Sequence, residues 1–251
     1  HIYAYALFLI YVVPVILIVL FSFMDSASIA KRELNFSTFT LENYKMVFSK
    51  VTAYKPFLVS IVYSALAAAA VAVLVLFACR VIQKKKNGFG TALEYGLLIP
   101  WLLPTTLIAI GLITTYNRPS PLMFGKVLTG SIFLMFLGYA IIKIPFTLRM
   151  TKAAFFALDD SLEDAAKNLG ASSVYTFFRV ILPVVLPTVL AILALNFNGL
   201  LGDYDMSVFL YHPLNQPLGD YIKTLTDAQT NADNSALTFV YAVLMMVISG
   251  V

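Results

Sequence analysis

The sequence predicts an all-α integral membrane protein with about six transmembrane helices and a cytoplasmic helix-turn-helix between the fourth and the fifth. Three observations predict it. Of the 251 residues, 60% are hydrophobic and only 12% charged, against roughly 25% charged in a soluble domain. Mean hydropathy is +0.86. The apolar residues also gather into runs of about the 20 residues that a helix needs to cross a bilayer.

The first run is Ile2–Met24, which carries Pro14 as a kink site. The second is Phe57–Ile82, where Ser64, Ala65, Ala67–Ala70 and Ala72 suit close helix packing. The third, Leu93–Thr115, is interrupted by Pro100 and Pro104. Val127–Leu148 and Val184–Tyr204 are the fourth and fifth, and a sixth starts near Ala236. The chain begins at His1 and both of its ends fall in apolar runs, so it reads as a piece of a longer protein. It reads as one transmembrane domain over 1–251, with a core of roughly 57–251 and a loop at 149–183.

The segments between the runs differ in character. Asp25–Pro56 is long and polar, and its Phe39–Tyr44 ("FTLENY") reads as a short interfacial helix. Gln83–Ala92 is short and holds Lys84, Lys85 and Lys86. Placing that loop and Arg149–Pro183 inside puts nine of the 17 Lys and Arg there, and five of the remaining eight sit in the long first loop, where charge counts less. Both termini are then cytoplasmic. The net charge of +4 is spread along the chain and calls for no nucleic-acid partner. Cys79 is the one cysteine, so no internal disulfide forms.

Arg149–Pro183 carries dense helix punctuation. Leu158, Leu162, Ala165, Ala166 and Leu169 recur on one helical face. Asp160 and Glu163 have capping-box spacing, with Asp160 as the cap. Gly170 suits a left-handed helix end. Ser172 or Ser173 can cap a second helix bearing Tyr175, Phe177, Phe178 and Ile181, and Pro183 places a break at Leu182. The residues alone leave two readings open: a helix pair lying on lipid headgroups, or a docking element.

Here the chain resembles a family. Asp164-Ala165-Ala166, three residues, Gly170, nine residues and Val180-Ile181-Leu182-Pro183 follow the Glu-Ala-Ala…Gly…Ile-x-Leu-Pro signature of the inner-membrane permeases of binding-protein-dependent ABC importers, with the MetI-like type I fold. Asp164 replaces Glu and Val180 replaces Ile, and Glu163 stands beside the substituted acid. The resemblance implies a multi-pass permease in a bacterial cytoplasmic membrane. It implies that Glu163, Asp164, Ala165, Ala166, Gly170, Val180, Leu182 and Pro183 form a coupling helix. That helix would dock on a separate cytoplasmic P-loop ATPase dimer, which binds ATP and Mg. Phe177, Phe178 and Leu182 would bury against the permease itself, so that the loop moves as a lever. A second permease subunit or second half, and an extracellular or periplasmic solute-binding protein, would complete the importer.

The chain offers no site for catalysis. No G-x-x-x-x-G-K-[ST] occurs, the two histidines are His1 and His212, and neither a metal cluster nor a nucleophile elbow is evident. An intramembrane acid–base relay or inverted repeats would mark a secondary transporter, and neither is evident. Glu94 and Lys143 fall near expected cytoplasmic span ends, where they can snorkel. Asn196, Asn198, Asp203 and Asp205, in the outer half of the fifth run, are the candidate translocation path. The wording of the signature is similar to the ferric-iron, polyamine, thiamine and sulfate branch. The chain's Gly202–Pro213 segment and its Phe39–Tyr44 loop turn that resemblance toward ferric iron or a ferric complex, and two outer carboxylates suit a cationic cargo, iron or a polyamine.

Overall fold

A computed structural model describes residues 2–31, 36–85, 88–119, 125–227 and 235–250. Lys86 of the lysine loop lies outside them. The helices in order are α1 (Ile2–Ser22), α2 (Ser26–Lys31), α3 (Glu42–Ser49), α4 (Val51–Lys84), α5 (Gly88–Leu98), α6 (Thr105–Tyr116) and α7 (Ile132–Phe156). They continue with α8 (Asp160–Asn168), α9 (Ser173–Thr176), α10 (Leu182–Leu201), α11 (Ser207–Leu210), α12 (Leu218–Thr226) and α13 (Ser235–Ser249).

Among the described residues, four stretches are long and apolar enough to cross a membrane: Tyr3–Ser22, Val51–Lys84, Ile132–Phe156 and Ser173–Leu201. The expected third span is a broken pair, Gly88–Leu102 and Thr105–Tyr116, bent by 106°. Its two prolines explain the break. Pro100 opens a 3₁₀ turn, Ile99–Leu102. Leu103 is extended at φ −110°, ψ 138°, as a residue before proline prefers. Pro104 then caps α6. The expected sixth span, α13, has 15 residues and is too short to cross among the described residues. The fourth span starts at Ile132, where Ser131 caps it, and runs through to Phe156.

The chain forms two compact units. In the first (His1–Ile61, Leu201–Tyr204 and Pro213–Val251), α13 packs against α1, α2, α3 and α12. Its core gathers Val47, Phe57, Leu218, Leu237, Val240 and Tyr241. Buried polar groups tie it together. The Tyr241 hydroxyl donates to the Ala53 carbonyl at 2.7 Å, and Asn43 Nδ2 donates to the Ser22 and Met24 carbonyls at the end of α1. The polar helix of the first loop is therefore Glu42–Ser49, three residues later than "FTLENY" suggested, because Asn43 anchors it to α1.

The second unit is Val62–Leu200 with Asp205–His212. Its core joins Val71, Val75, Cys79 and Ile82 of α4 to Leu148 and Phe155 of α7 and to Phe177, Ile181, Val185 and Val189. On α4, Ser64, Ala67, Ala68 and Ala72 are buried while Ala65 and Ala69 are exposed, so small residues mark the helix's packed stripe. Gly138 opens α7 to α11: a Cβ there would stand 2.7 Å from Leu210 Cδ1.

The expected break at Leu182 does not occur. Leu182 is helical at φ −57°, ψ −45°, and the chain stays helical from Ser173 to Leu201. Phe177–Ile181 is a π turn, and the Leu182 amide reaches back five residues to the Phe177 carbonyl. Proline removes a donor and crowds the preceding turn, and the wider π turn accommodates Pro183 without ending the helix. The loop helix and the fifth span are consequently one rod, which ends at Leu201, short of the expected Tyr204.

Candidate functional site: a bolted helix and a polar-lined cavity

Both features lie in the second unit. The first is α8. Its cap is Asp159, not Asp160: Asp159 Oδ1 accepts from the Ser161 amide at 2.9 Å. That hydrogen bond holds the Asp159 carboxyl below its usual range. Glu163 does not close a capping box, because stronger partners claim it. Arg80, near the end of α4, donates two hydrogen bonds to it at 2.9 and 3.0 Å, one from each terminal nitrogen. The ammonium groups of Lys84 and Lys167 each stand 3.7 Å from Glu163 Oε1. The Arg80 fork, the largest influence, holds the Glu163 carboxyl below the usual glutamate range, and burial opposes it only in part.

The signature acid, Asp164, is 70% exposed at its side chain and pairs with Lys167 at 3.2 Å. Glu163 is therefore the anchor, and Asp164 points outward. The apolar face is likewise divided. Ala166 is buried, whereas Leu162, Ala165 and Leu169 are exposed, Leu169 by 89%. The helical spacing of these residues was legible; that the protein's own core would not cover them was not.

Gly170 ends α8 at φ +81°. The Gly170 amide donates to Lys167 O at 2.8 Å and the Ala171 amide to Ala166 O at 3.0 Å, the paired bonds of a left-handed glycine stop. Ser172 then caps α9, accepting from the Tyr175 amide. Phe177 is buried and packs against Phe77 of α4. Phe178, expected to bury beside it, is 51% exposed, its ring edge-on to that of Phe177 at 5.1 Å. Val180 and Leu182 are half-buried, and Pro183 is exposed. The signature thus forms a short arm, bolted to α4 by Glu163 and Phe177, with an apolar strip facing outward.

The second feature is a cavity of about 480 Å³ where α7 and α10 meet the break between α5 and α6. Trp101 and Phe146 supply its aromatic lining, and Thr105, Lys143 and Asn196 its polar lining. Lys143 does not lie near a span end. It is eleven residues after the start of α7 and thirteen before its end. Asn196 is buried, and its Nδ2 donates to Thr147 Oγ1 at 2.7 Å; that hydroxyl donates to the Lys143 carbonyl at 2.7 Å. Of the four expected path residues, Asn196 alone lines this cavity. Asn198 is half-buried on α10, while Asp203 and Asp205 follow the helix end at Leu201. Glu94 pairs with Lys152 and fits the structural role expected of it. No single stretch of sequence shows the cavity, because it needs the proline-broken segment and the α7 lysine to meet in space.

A family described as "Binding-protein-dependent transport system inner membrane component" matches residues 2–251. The probable ABC transporter permease protein y4fN of Sinorhizobium fredii is 39% identical over 248 residues, covering 98% of this chain and 43% of that protein. A probable sulfate transport system permease protein, cysT, of Prototheca wickerhamii is 28% identical over 158 residues, covering 59% of this chain and 60% of that protein. The chain thus spans about half the length of these relatives. Among solved structures, a bacterial ABC transporter involved in import of the acidic polysaccharide alginate superposes with a TM-score of 0.76 at 15% identity, covering 98% of this chain and 89% of that one, which speaks to the fold.

Proposed function

We infer a transport role from one premise: the chain belongs to the family of binding-protein-dependent transport system inner membrane components. It is the permease domain, or one half of a fused permease, of an ATP-driven importer in a bacterial cytoplasmic membrane, and is not itself an enzyme. ATP and Mg belong to a separate cytoplasmic ATPase dimer. A solute-binding protein delivers the cargo on the opposite side.

One observation carries the coupling reading: α8 is bolted to α4 on one side and bare and apolar on the other. Leu162, Ala165 and Leu169 form the docking strip. The fork from Arg80 to Glu163 and the buried Phe177 convert displacement of that strip into displacement of α4. Because the helix runs unbroken from Ser173 to Leu201, the same push reaches the wall of the cavity. The prolines that interrupt the wall between α5 and α6 make it the deformable side.

Leu162→Asp combined with Leu169→Asp tests this reading. Both side chains are exposed, so α8 stays folded, and the ATPase is expected to be lost on purification together with uptake. ATPase retained with normal uptake would refute it. For the cargo, the ferric-iron reading draws on Asp203 and Asp205, and the inorganic-anion reading on the sulfate-system relative. Metal analysis of the co-purified binding protein separates them: bound iron supports the first and its absence the second.

A further inference from the structure

Two cavities lie in line along the seam between α7 and the proline-broken segment. The first is the cavity of about 480 Å³ beside Trp101. The second, of about 410 Å³, is lined by Glu94, Tyr95 and Leu98 of α5 and by Leu148, Arg149 and Lys152 of α7, among others. Their linings follow one another in order on both walls. On α7, positions within 142–146 line the first cavity and positions within 148–156 the second. On the facing wall, positions within 94–98 line the second and positions within 100–108 the first. Among the described residues none lines both, so the boundary falls between Leu98 and Pro100 on one wall and between Phe146 and Leu148 on the other.

Side chains from the two linings meet across that boundary. The Arg149 guanidinium, from the second cavity, lies over the ring of Trp101, from the first, 4.8 Å from its centroid. A flat guanidinium on an indole face is a favourable contact. Trp101 and Arg149 both stay exposed, so the contact separates at modest cost. Farther along the second cavity, Lys152 pairs with Glu94 at 2.5 Å and holds α5 to α7. The seam is thus pinned by an ion pair at one level and closed by a separable stack at the next.

The backbone on both sides of the stack is built to yield. Trp101 stands in the 3₁₀ turn Ile99–Leu102, just ahead of the break that bends the segment by 106°. Pro145, one turn before Arg149, offers no amide to the Ile141 carbonyl and weakens α7 there. α7 ends at Phe156, and residues 157–159 join it to α8. Displacement of α8 therefore pulls on the stretch of α7 that carries Arg149.

We propose that the Trp101–Arg149 stack is a gate between two compartments of the translocation path, the cavity beside Trp101 and an inner vestibule beside Glu94 and Lys152. Movement of α8 slides the guanidinium on or off the indole, so the two cavities join in one state of the ATPase cycle and separate in the other. The proposal rests on the permease reading and adds a gate to it.

The test uses the natural complex in inside-out membrane vesicles without nucleotide, with Thr105→Cys as a reporter in the first cavity. A charged, membrane-impermeant thiol reagent is added outside, and labelling of the permease is timed against the parent chain, in which Cys79 is buried. Labelling of the reporter is expected to be slow while the stack is intact. It should speed about fivefold in Trp101→Ala and in Arg149→Gln, the size of one partly exposed cation–π contact. It should stay slow in Arg149→Lys, which keeps a cation over the ring, and in Leu102→Ala, an exposed position of the same turn that lines neither cavity. Should Trp101→Ala not fold, Arg149→Gln carries the test, since its side chain is exposed. Equal labelling in Arg149→Gln and the intact pair, or an equal gain in Leu102→Ala or Arg149→Lys, would overturn the gate. Retention of the ATPase is scored in the same vesicles. Its absence while labelling depends on the pair strikes the permease reading alone, and its presence while labelling ignores the pair strikes the gate alone.

Discussion

Removing the Glu163 carboxylate should loosen α8 without unfolding the spans. The side chains of Arg80 and Glu163 keep only 11% and 20% of their exposure, and the fork is bidentate at 2.9 and 3.0 Å. A hydrogen bond to a charged group contributes about 1.5–3 kcal/mol, and a fully exposed pair about 0.2–1 kcal/mol. This partly shielded fork falls between them, so Glu163→Ala should cost about 2 kcal/mol. The loss also strands Arg80, Lys84 and Lys167 around an empty position, although Asp164 still compensates Lys167. Arg80→Ala is milder, about 1 kcal/mol, because Lys84 and Lys167 continue to face the carboxylate. Amide hydrogen exchange reads the difference directly. A 2 kcal/mol loss raises the local opening equilibrium of α8 by about 30-fold, at tenfold per 1.4 kcal/mol. The α8 amides should therefore exchange about 30-fold faster in Glu163→Ala, with α7 unchanged. Exchange within about twofold of wild type would refute the bolt.

Three further outcomes follow from the same arm. Gly170→Ala should cost about 1 kcal/mol of α8 stability through its positive φ alone, since an added Cβ meets nothing within 4 Å; Gly170→Asn should cost less, and equal thermal shifts for the two would contradict this. Ser172→Ala removes the acceptor for the Tyr175 amide and should lower protection at 173–176 by about 1 kcal/mol, as exchange of that peptide will report. The Glu163 carboxyl is held below its ordinary value, so its contribution is complete above the usual glutamate range and disappears as pH falls through the lowered value. Intrinsic-rate-corrected exchange of α8 should hold steady above the ordinary glutamate range, begin to rise as pH falls through it and level off below the lowered value; loosening that starts above that range would show the fork to be unformed.

Much of this was legible in the residues because it depends on local chemistry. Gly170 ends a helix and Ser172 caps the next, since the only cheap left-handed residue and a short hydroxyl stand at the spacing a tight reversal needs. The apolar runs were legible because a bilayer demands length. What was not legible depended on partners distant in sequence. Glu163 was assigned to a capping box because its neighbours were known and Arg80, 83 residues away, was not. Pro183 was read as a stop because proline usually is one, but a π turn absorbed it. The apolar run Val127–Leu148 puts Lys143 near a span end, whereas α7 begins at Ile132 and continues to Phe156, which leaves Lys143 mid-helix. The cavity required three separated elements to meet, and no single stretch of sequence encodes that.

On the proposed function, this chain moves cargo only when an ATPase drives α8. The most direct measurement is uptake by liposomes containing the complex purified from its native membrane, with binding protein outside and ATP either present or absent inside. Uptake is expected only with internal ATP and should fall to background in Leu162→Asp with Leu169→Asp. Full-rate uptake without ATP would contradict the account and return the protein to the gradient-driven transporters.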